Sequence, residues 1–143
     1  MTRIHRNALV MHSAADMFAL VNDVPAYPEF LPWCSRSEVL EHSPVVMVAK
    51  LEIAKGKLRQ SFTTRNVLEE PGIIQMQLED GPFRVFRGCW QFTPLDERAC
   101  KVALDLNFEF SGTLASVLLG RVFDDAANHM IDAFCKRAND IHG

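Results

Sequence analysis

Between residues 36 and 141 the hydrophobic period of the chain changes once, from 2 to about 3.6, and no other feature constrains the fold as tightly. Apolar and polar residues alternate in runs at 36–42, 45–54, 58–69, 73–79, 84–94 and 100–110. Turn signals separate the runs: Ser43-Pro44, Lys55-Gly56, Pro71-Gly72, Gly81-Pro82 and Leu95-Asp96-Glu97. Links this short join strands antiparallel, so the runs form a meander. Apolar residues then recur at 115, 118, 119, 122, 126, 130, 133, 134, 138 and 141. That spacing predicts one amphipathic helix over 114–141, roughly seven to eight turns long. Ser111-Gly112-Thr113 ends the last strand, and Thr113 is placed to cap the helix.

Ahead of the meander, residues 3–12 alternate with Ile4, Ala8 and Val10 on one side, which predicts a further strand. Ser13-Ala14-Ala15-Asp16 has the form of a capping box. The helix it opens carries Met17, Phe18, Leu20 and Val21, and stops near Asp23 because Pro25 disfavours helix before it. Residues 25–34 hold three prolines and three aromatics, too many prolines for a long helix. A stiff segment carrying Tyr27, Phe30 and Trp33 must pack on something or form a lid. With no repeat or linker, residues 1–143 are expected to be one domain. The order predicts an α+β helix-grip architecture, a curved antiparallel sheet wrapped around a long C-terminal helix. A two-layer sandwich with a filled core has the same order.

Alternation assigns the faces. Val102, Leu104, Leu106, Phe108 and Phe110 point inward from the last strand, and Arg84, Phe86, Gly88, Trp90 and Phe92 from the one before. Ile74, Met76 and Leu78 follow, as do Val45, Met47, Ala49, Leu51 and Ile53. The run at 58–68 differs, because Leu58, Phe62 and Leu68 share their face with Gln60, Thr64 and Asn66. Inward polar groups are costly if dry and unpaired. A few of them on an apolar concave wall are what a ligand pocket needs. The other reading places them near strand ends, satisfied by backbone or water. Arg84 is a candidate cation at the pocket mouth, or a strand-start arginine reaching solvent.

The composition narrows the function. A net charge of −3 argues against a domain that lives on phosphate contacts, and DNA is not an expected partner. Lys50, Lys55, Lys57, Arg59, Arg65 and Arg87 fall on the outer face or the adjacent 55–57 turn among Glu52 and Asp105, as on a solvated sheet face, with an RNA-facing patch the other reading. Cys34, Cys89, Cys100 and Cys135 form no C-x-x-C pair, and the domain is large enough to fold without disulfides, so reduced thiols in a cytoplasmic protein are expected. The histidines lack ligand spacing, so no metal site is expected, and His129 reads as a partly buried structural residue. No signal peptide or apolar span of about 20 residues is present. The inward face carries no pair of carboxylates and no nucleophile motif; Cys34 and His42 would meet only by accident. No catalytic residue is therefore expected.

Tyr27-Pro28-Glu29-Phe30-Leu31-Pro32-Trp33-Cys34, Asp80-Gly81-Pro82-Phe83, Trp90-Gln91-Phe92-Thr93-Pro94, Phe108-Glu109-Phe110 and Gly120-Arg121-Val122-Phe123 resemble, in order, the bacterial ribosome association toxin (RatA) family. That family is similar to coenzyme Q-binding START proteins and, more distantly, to polyketide cyclases. The resemblance covers about residues 3–140. It implies a START-like fold with a tunnel between sheet and helix, and no settled catalytic residues. It also implies two roles: binding ubiquinone or another isoprenoid lipid in support of respiration, with contact at the inner membrane, or binding the large ribosomal subunit to block subunit association. A cyclase-type enzyme on a hydrophobic substrate is a third reading. The tunnel mouth maps to Tyr27, Phe30, Leu31, Pro32 and Trp33. The face assignments supply the rest of the expected lining: Phe62, Thr64, Arg84, Phe86, Trp90, Leu106, Phe108, Val122, Ala126 and Met130.

Overall fold

Strands β1 (Thr2–Val10), β2 (Cys34–His42), β3 (Val46–Lys55), β4 (Leu58–Glu69), β5 (Ile73–Asp80), β6 (Phe83–Asp96) and β7 (Ala99–Phe110) form a seven-stranded sheet in the order β1-β7-β6-β5-β4-β3-β2. All neighbours pair antiparallel. This computed structural model describes residues 2–69, 72–112 and 114–142, and the side chains at 114–116 are outside the description. Pro71 of one predicted turn and the predicted Thr113 cap lie outside the described residues. Bulges interrupt the ladder at Cys34/Arg36, Val39/Glu41, Thr63/Thr64, Phe83/Val85 and Pro94/Asp96. Each adds local twist and bends its strand, which curves the sheet. Helices α3 (Leu114–Asn128) and α4 (Met130–His142) lie on the concave side, with α3 reaching from β3 and β4 across to β7 and β1. This is the predicted helix-grip arrangement.

Between β1 and β2 run α1 (Ala14–Asn22), a 3-10 turn at Val24–Ala26 and a single helical turn, α2 (Tyr27–Phe30). Ser13 caps α1, its Oγ accepting from the Asp16 N–H at 3.0 Å. Pro25 and Pro28 each sit in the first turn of the short helical segments, where a missing N–H costs nothing. The segment is stitched down at both ends. Ser37 Oγ donates to the Val24 carbonyl at 2.7 Å, and the Ala54 N–H donates to the Trp33 carbonyl at 2.9 Å.

Four expectations change here. The predicted single C-terminal helix breaks at His129. Its ring nitrogen donates to the Asp125 carbonyl at 2.9 Å, while its backbone N–H is shared between Asp125 and Ala126 at 3.2 Å each. Side chain and backbone compete for one acceptor, and the ladder slips. His129 is therefore exposed, not partly buried. Val45 precedes β3 and is 60% exposed, so the inward set of that strand starts at Met47. Arg84 is also outside. The bulge between Phe83 and Val85 breaks the alternation, so Phe83 and Phe86 both face inward while Arg84 Nε lies 3.8 Å from Glu109 Oε2 on the exposed side.

Candidate functional site

Two positions let the backbone approach closely around the interior. Gly81 (φ +148°) turns β5 into β6, and a Cβ there would lie 2.6 Å from Phe62 Cβ. Gly88 sits mid-sheet, where a Cβ would meet Met76 Cε at 2.7 Å and Leu106 Cδ1 at 2.8 Å. The notch that Gly88 leaves is filled by two flexible side chains from neighbouring strands.

Under α3 the concave face is packed with rings. Phe123 is 2% exposed and meets Trp33, Phe62, Phe83, Phe86, Phe108 and Phe110 at centroid distances of 4.9–6.0 Å, mostly edge to face. Beside this cluster, beneath the α3–α4 junction, the packing opens into a cavity of about 70 Å³. β4 contributes Phe62, Thr64 and Asn66, β6 contributes Phe86 and Trp90, and β7 contributes Leu104 and Leu106. Ala49, Leu51 and Met76 complete the sheet side. Phe123, Met130 and Phe134 form the helical side, and Val24, Tyr27 and Trp33 close it from the proline-aromatic segment.

The wall is apolar apart from a few groups. Among the described residues Tyr27 is its one titratable side chain; the hydroxyl donates to the Val21 carbonyl, and burial pushes the phenol far above its usual range. Thr64 and Asn66 are 5% and 8% exposed, and Asn66 Oδ1 is buried without a hydrogen-bond partner. That is the costly arrangement anticipated for an inward polar group in a dry site. No carboxylate, histidine or cysteine lines the cavity among the described residues, so its wall offers no general base and no ready nucleophile. Cys34 is buried nearby, but desolvation lifts its thiol to about 11. It stands at the opposite end of β2 from His42, about 26 Å away at strand rise, so those two cannot form a pair.

A second, open groove of about 500 Å³ lies outside the first. Leu31, Pro32 and Trp33 form one bank, Val122, Ala126, His129 and Ala133 the other, with Lys55, Arg121 and Asp125 at the rim. Trp33 lines both spaces and is the wall between them. The proline-aromatic segment is held over the inner space by ring contacts of Tyr27 and Phe30 with Phe134 at 5.5 and 5.2 Å. Arg137 of α4 adds an ion pair to Glu29 at 3.1 Å and stacks over Phe30 at 5.1 Å.

Of the lining expected from sequence, Tyr27, Trp33, Phe62, Thr64, Phe86, Trp90, Leu106 and Met130 meet at the inner cavity. Leu31, Val122 and Ala126 line the outer groove instead, because α3 turns Phe123 inward and Val122 sideways. Phe30 packs on Tyr27 and Phe134, and Phe108 belongs to the ring cluster. Neither lines the inner space, and Arg84 lies outside altogether. Phe123, Phe134 and Val24 were not among the expected site residues. Phe134 was already in the helical stripe, and Phe123 is the bulkiest residue of its turn.

The model of the polyketide cyclase / dehydrase and lipid transport family matches residues 10–135. The ribosome association toxin RatA of Pseudomonas aeruginosa is 54% identical over 142 residues, covering 99% of each chain. The mitochondrial coenzyme Q-binding protein COQ10 homolog B of Xenopus laevis is 32% identical over 135 residues, 92% of this chain and 55% of that one. A START superfamily protein from Mycobacterium smegmatis shares the fold with a TM-score of 0.79 at 19% identity, over 97% of this chain and 98% of that one. With a full-length relative at that identity and a family model spanning most of the sequence, the chain belongs to the ribosome association toxin family, within the polyketide cyclase / dehydrase and lipid transport proteins.

Proposed function

We propose that this protein is a non-catalytic binder of a hydrophobic small molecule, an isoprenoid quinone or a comparable lipid, held between sheet and helices. One observation carries the reading: a fold with good ring packing leaves a hollow in the same interior and places an unpaired Asn66 in its wall. Ligand pockets begin at about 300 Å³, so the inner space is a closed form of the site. A ring enters when Met76 and Met130, both unbranched and adaptable, shift and Trp33 swings aside. The isoprenoid chain then runs past Trp33 into the outer groove along Leu31, Ala126 and Ala133. The coenzyme Q-binding name of the Xenopus relative supports this ligand class. Organic extraction of protein purified from quinone-replete cells, followed by mass spectrometry, tests it. A near-stoichiometric isoprenoid lipid is expected. Extracts that stay empty, together with no binding of added short-chain quinone or quinol, would sink it.

A second reading is binding to the large ribosomal subunit, favoured by 54% identity along the whole chain to a ribosome association toxin. The convex face supplies a surface for it. Arg65, Gln77, Arg87, Asn107 and Arg3 are successive register partners across β4, β5, β6, β7 and β1, an arginine alternating with an amide. Arginines two strands apart lie about 9.6 Å apart, and such a row suits a phosphate backbone. Co-sedimentation with large subunits, lost on replacing Arg87 with Glu while the fold is kept, is the expected result. Unchanged sedimentation would remove the row from the reading.

A further inference from the structure

The outer groove is open as the protein stands, and at about 500 Å³ it falls within the range of ligand pockets without any side chain moving. Its walls are apolar and of unlike bulk. Leu31 and Trp33, 2% and 8% exposed, fill one bank, while Ala126 and Ala133 on the helices and Ala54 on β3 each offer only a methyl group. The helical bank runs from Arg121 to Ala133, about 18 Å at helical rise. A trough of that length and character suits an extended hydrocarbon chain. Charge then gives it a direction. Lys55, the last residue of β3, and Arg121 of α3 border it, and β3 packs against α3. Both side chains are exposed, and among the described residues neither has an ion-pair partner. The acid of this rim, Asp125, faces His129 at 3.5 Å. With His129 neutral, the rim carries one net positive charge on a chain whose own net charge is −3.

Long basic side chains lay their stems along apolar surface and keep their heads at its edge. An arginine and a lysine at one edge fit a single anionic head, the guanidinium through two parallel N–H bonds and the ammonium as a point charge. We infer that the outer groove binds an anionic amphiphile, a single-chain carboxylate or phosphate ester, with its chain along Leu31, Ala126 and Ala133 and its head at Lys55 and Arg121. A neutral lipid fills the trough and leaves both cations to water. A free anion meets the cations and leaves the trough empty. The anionic amphiphile satisfies both at once. The inference goes beyond the quinone reading, because the groove is open whether or not the inner space ever admits a ring.

The test is isothermal titration of the full chain at low salt, below micelle formation, with dodecanoate, dodecyl phosphate, dodecanol and inorganic phosphate. The two anionic chains are expected to bind about five- to tenfold more tightly than dodecanol, and inorganic phosphate to give no measurable heat. The preference should shrink as salt is raised, because the cations are exposed. In the double variant Lys55→Gln/Arg121→Gln it is expected to fall to near one, with dodecanol binding kept. Both positions are on the surface, so the variant is expected to fold. Equal affinity for dodecanoate and dodecanol in the wild type, or a preference that survives the double replacement, overturns the inference. Inorganic phosphate binding as tightly as dodecyl phosphate also overturns it, since the groove would then play no part. Binding to phosphatidylglycerol vesicles with no binding of either single chain overturns it by assigning the rim to a bilayer surface. Failure of all four ligands overturns it as well, and leaves quinone binding in the inner cavity to its own measurement.

Discussion

The interior has two neighbouring regions built from the same strands and opposite in kind. On one side Phe123 packs against Phe83, Phe108 and Phe110 and the interior is filled, while Trp33, Phe62 and Phe86, which it also meets, border the cavity. A few residues away along β4 and β6, the wall passes from Phe62 and Phe86 to Thr64, Asn66, Met76 and Trp90, and the packing opens. The first region is rigid, because interlocked rings have few alternative rotamers and each void costs contacts. The second uses side chains that move, a glycine notch and an unpaired amide. Stability is concentrated in one region and adaptability in the other, and a sheet that bends continuously between them keeps the two in register.

The sharpest way to break this contrast is to empty the rigid half. Phe123→Ala removes the ring that the cluster shares and is expected to cost about 3–5 kcal/mol in urea unfolding. A cost below about 1 kcal/mol would show that α3 collapses into the gap, and that the ring-packed half is no more rigid than the hollow one.

How much of this was legible follows from the physics of each part. The sheet was, because β7 alternates without error through Val102, Leu104, Leu106 and Phe108, all 3% exposed or less. The proline-aromatic segment was, because its prolines rule out regular structure and its rings demand cover. Arg84 was misplaced because a bulge is a backbone event, and no residue type announces that Phe83 rather than Arg84 turns inward. Phe123 falls outside the apolar stripe because the stripe at 118, 122, 126 and 130 runs one position off the buried face, and its Leu118 is 43% exposed. The buried stripe is narrower and runs through Leu119, Phe123, Ala127, Ile131, Phe134 and Ala138. The division between inner cavity and outer groove was out of reach, since it depends on which face of one tryptophan each space touches.

A smaller intervention sharpens the comparison from the hollow side. Gly88→Ala drives a methyl against Met76 Cε and Leu106 Cδ1, both flexible ends, and only at 3.2 Å against the Asp105 carbonyl. Those ends have the cavity to retreat into, so the cost is expected to be about 1 kcal/mol, at the low end for overpacking. The retreat consumes the space a ring would use. Binding of decylubiquinol should weaken several-fold more than stability falls. A loss of 3 kcal/mol or more would mean the hollow yields no better than a filled core.

The smallest expected effect separates holding the site shut from holding the protein folded. Arg137→Met keeps a long aliphatic side chain but removes the ion pair to Glu29 and the charge over the Phe30 ring. The lost contacts are partly exposed, and the substitution also removes a buried Nε that lacks a hydrogen-bond partner. The net cost is therefore expected to be about 0.5 kcal/mol. The chain has two tryptophans, Trp33 and Trp90, 8% and 4% exposed, and both line the inner cavity. If Arg137 holds the proline-aromatic segment down, acrylamide should quench their emission markedly faster in Arg137→Met, at almost unchanged Tm. Unchanged quenching would assign the closure to the Tyr27–Phe30–Phe134 rings and the Ala54–Trp33 backbone bond. The hollow would then be gated by packing, as the rigid half is.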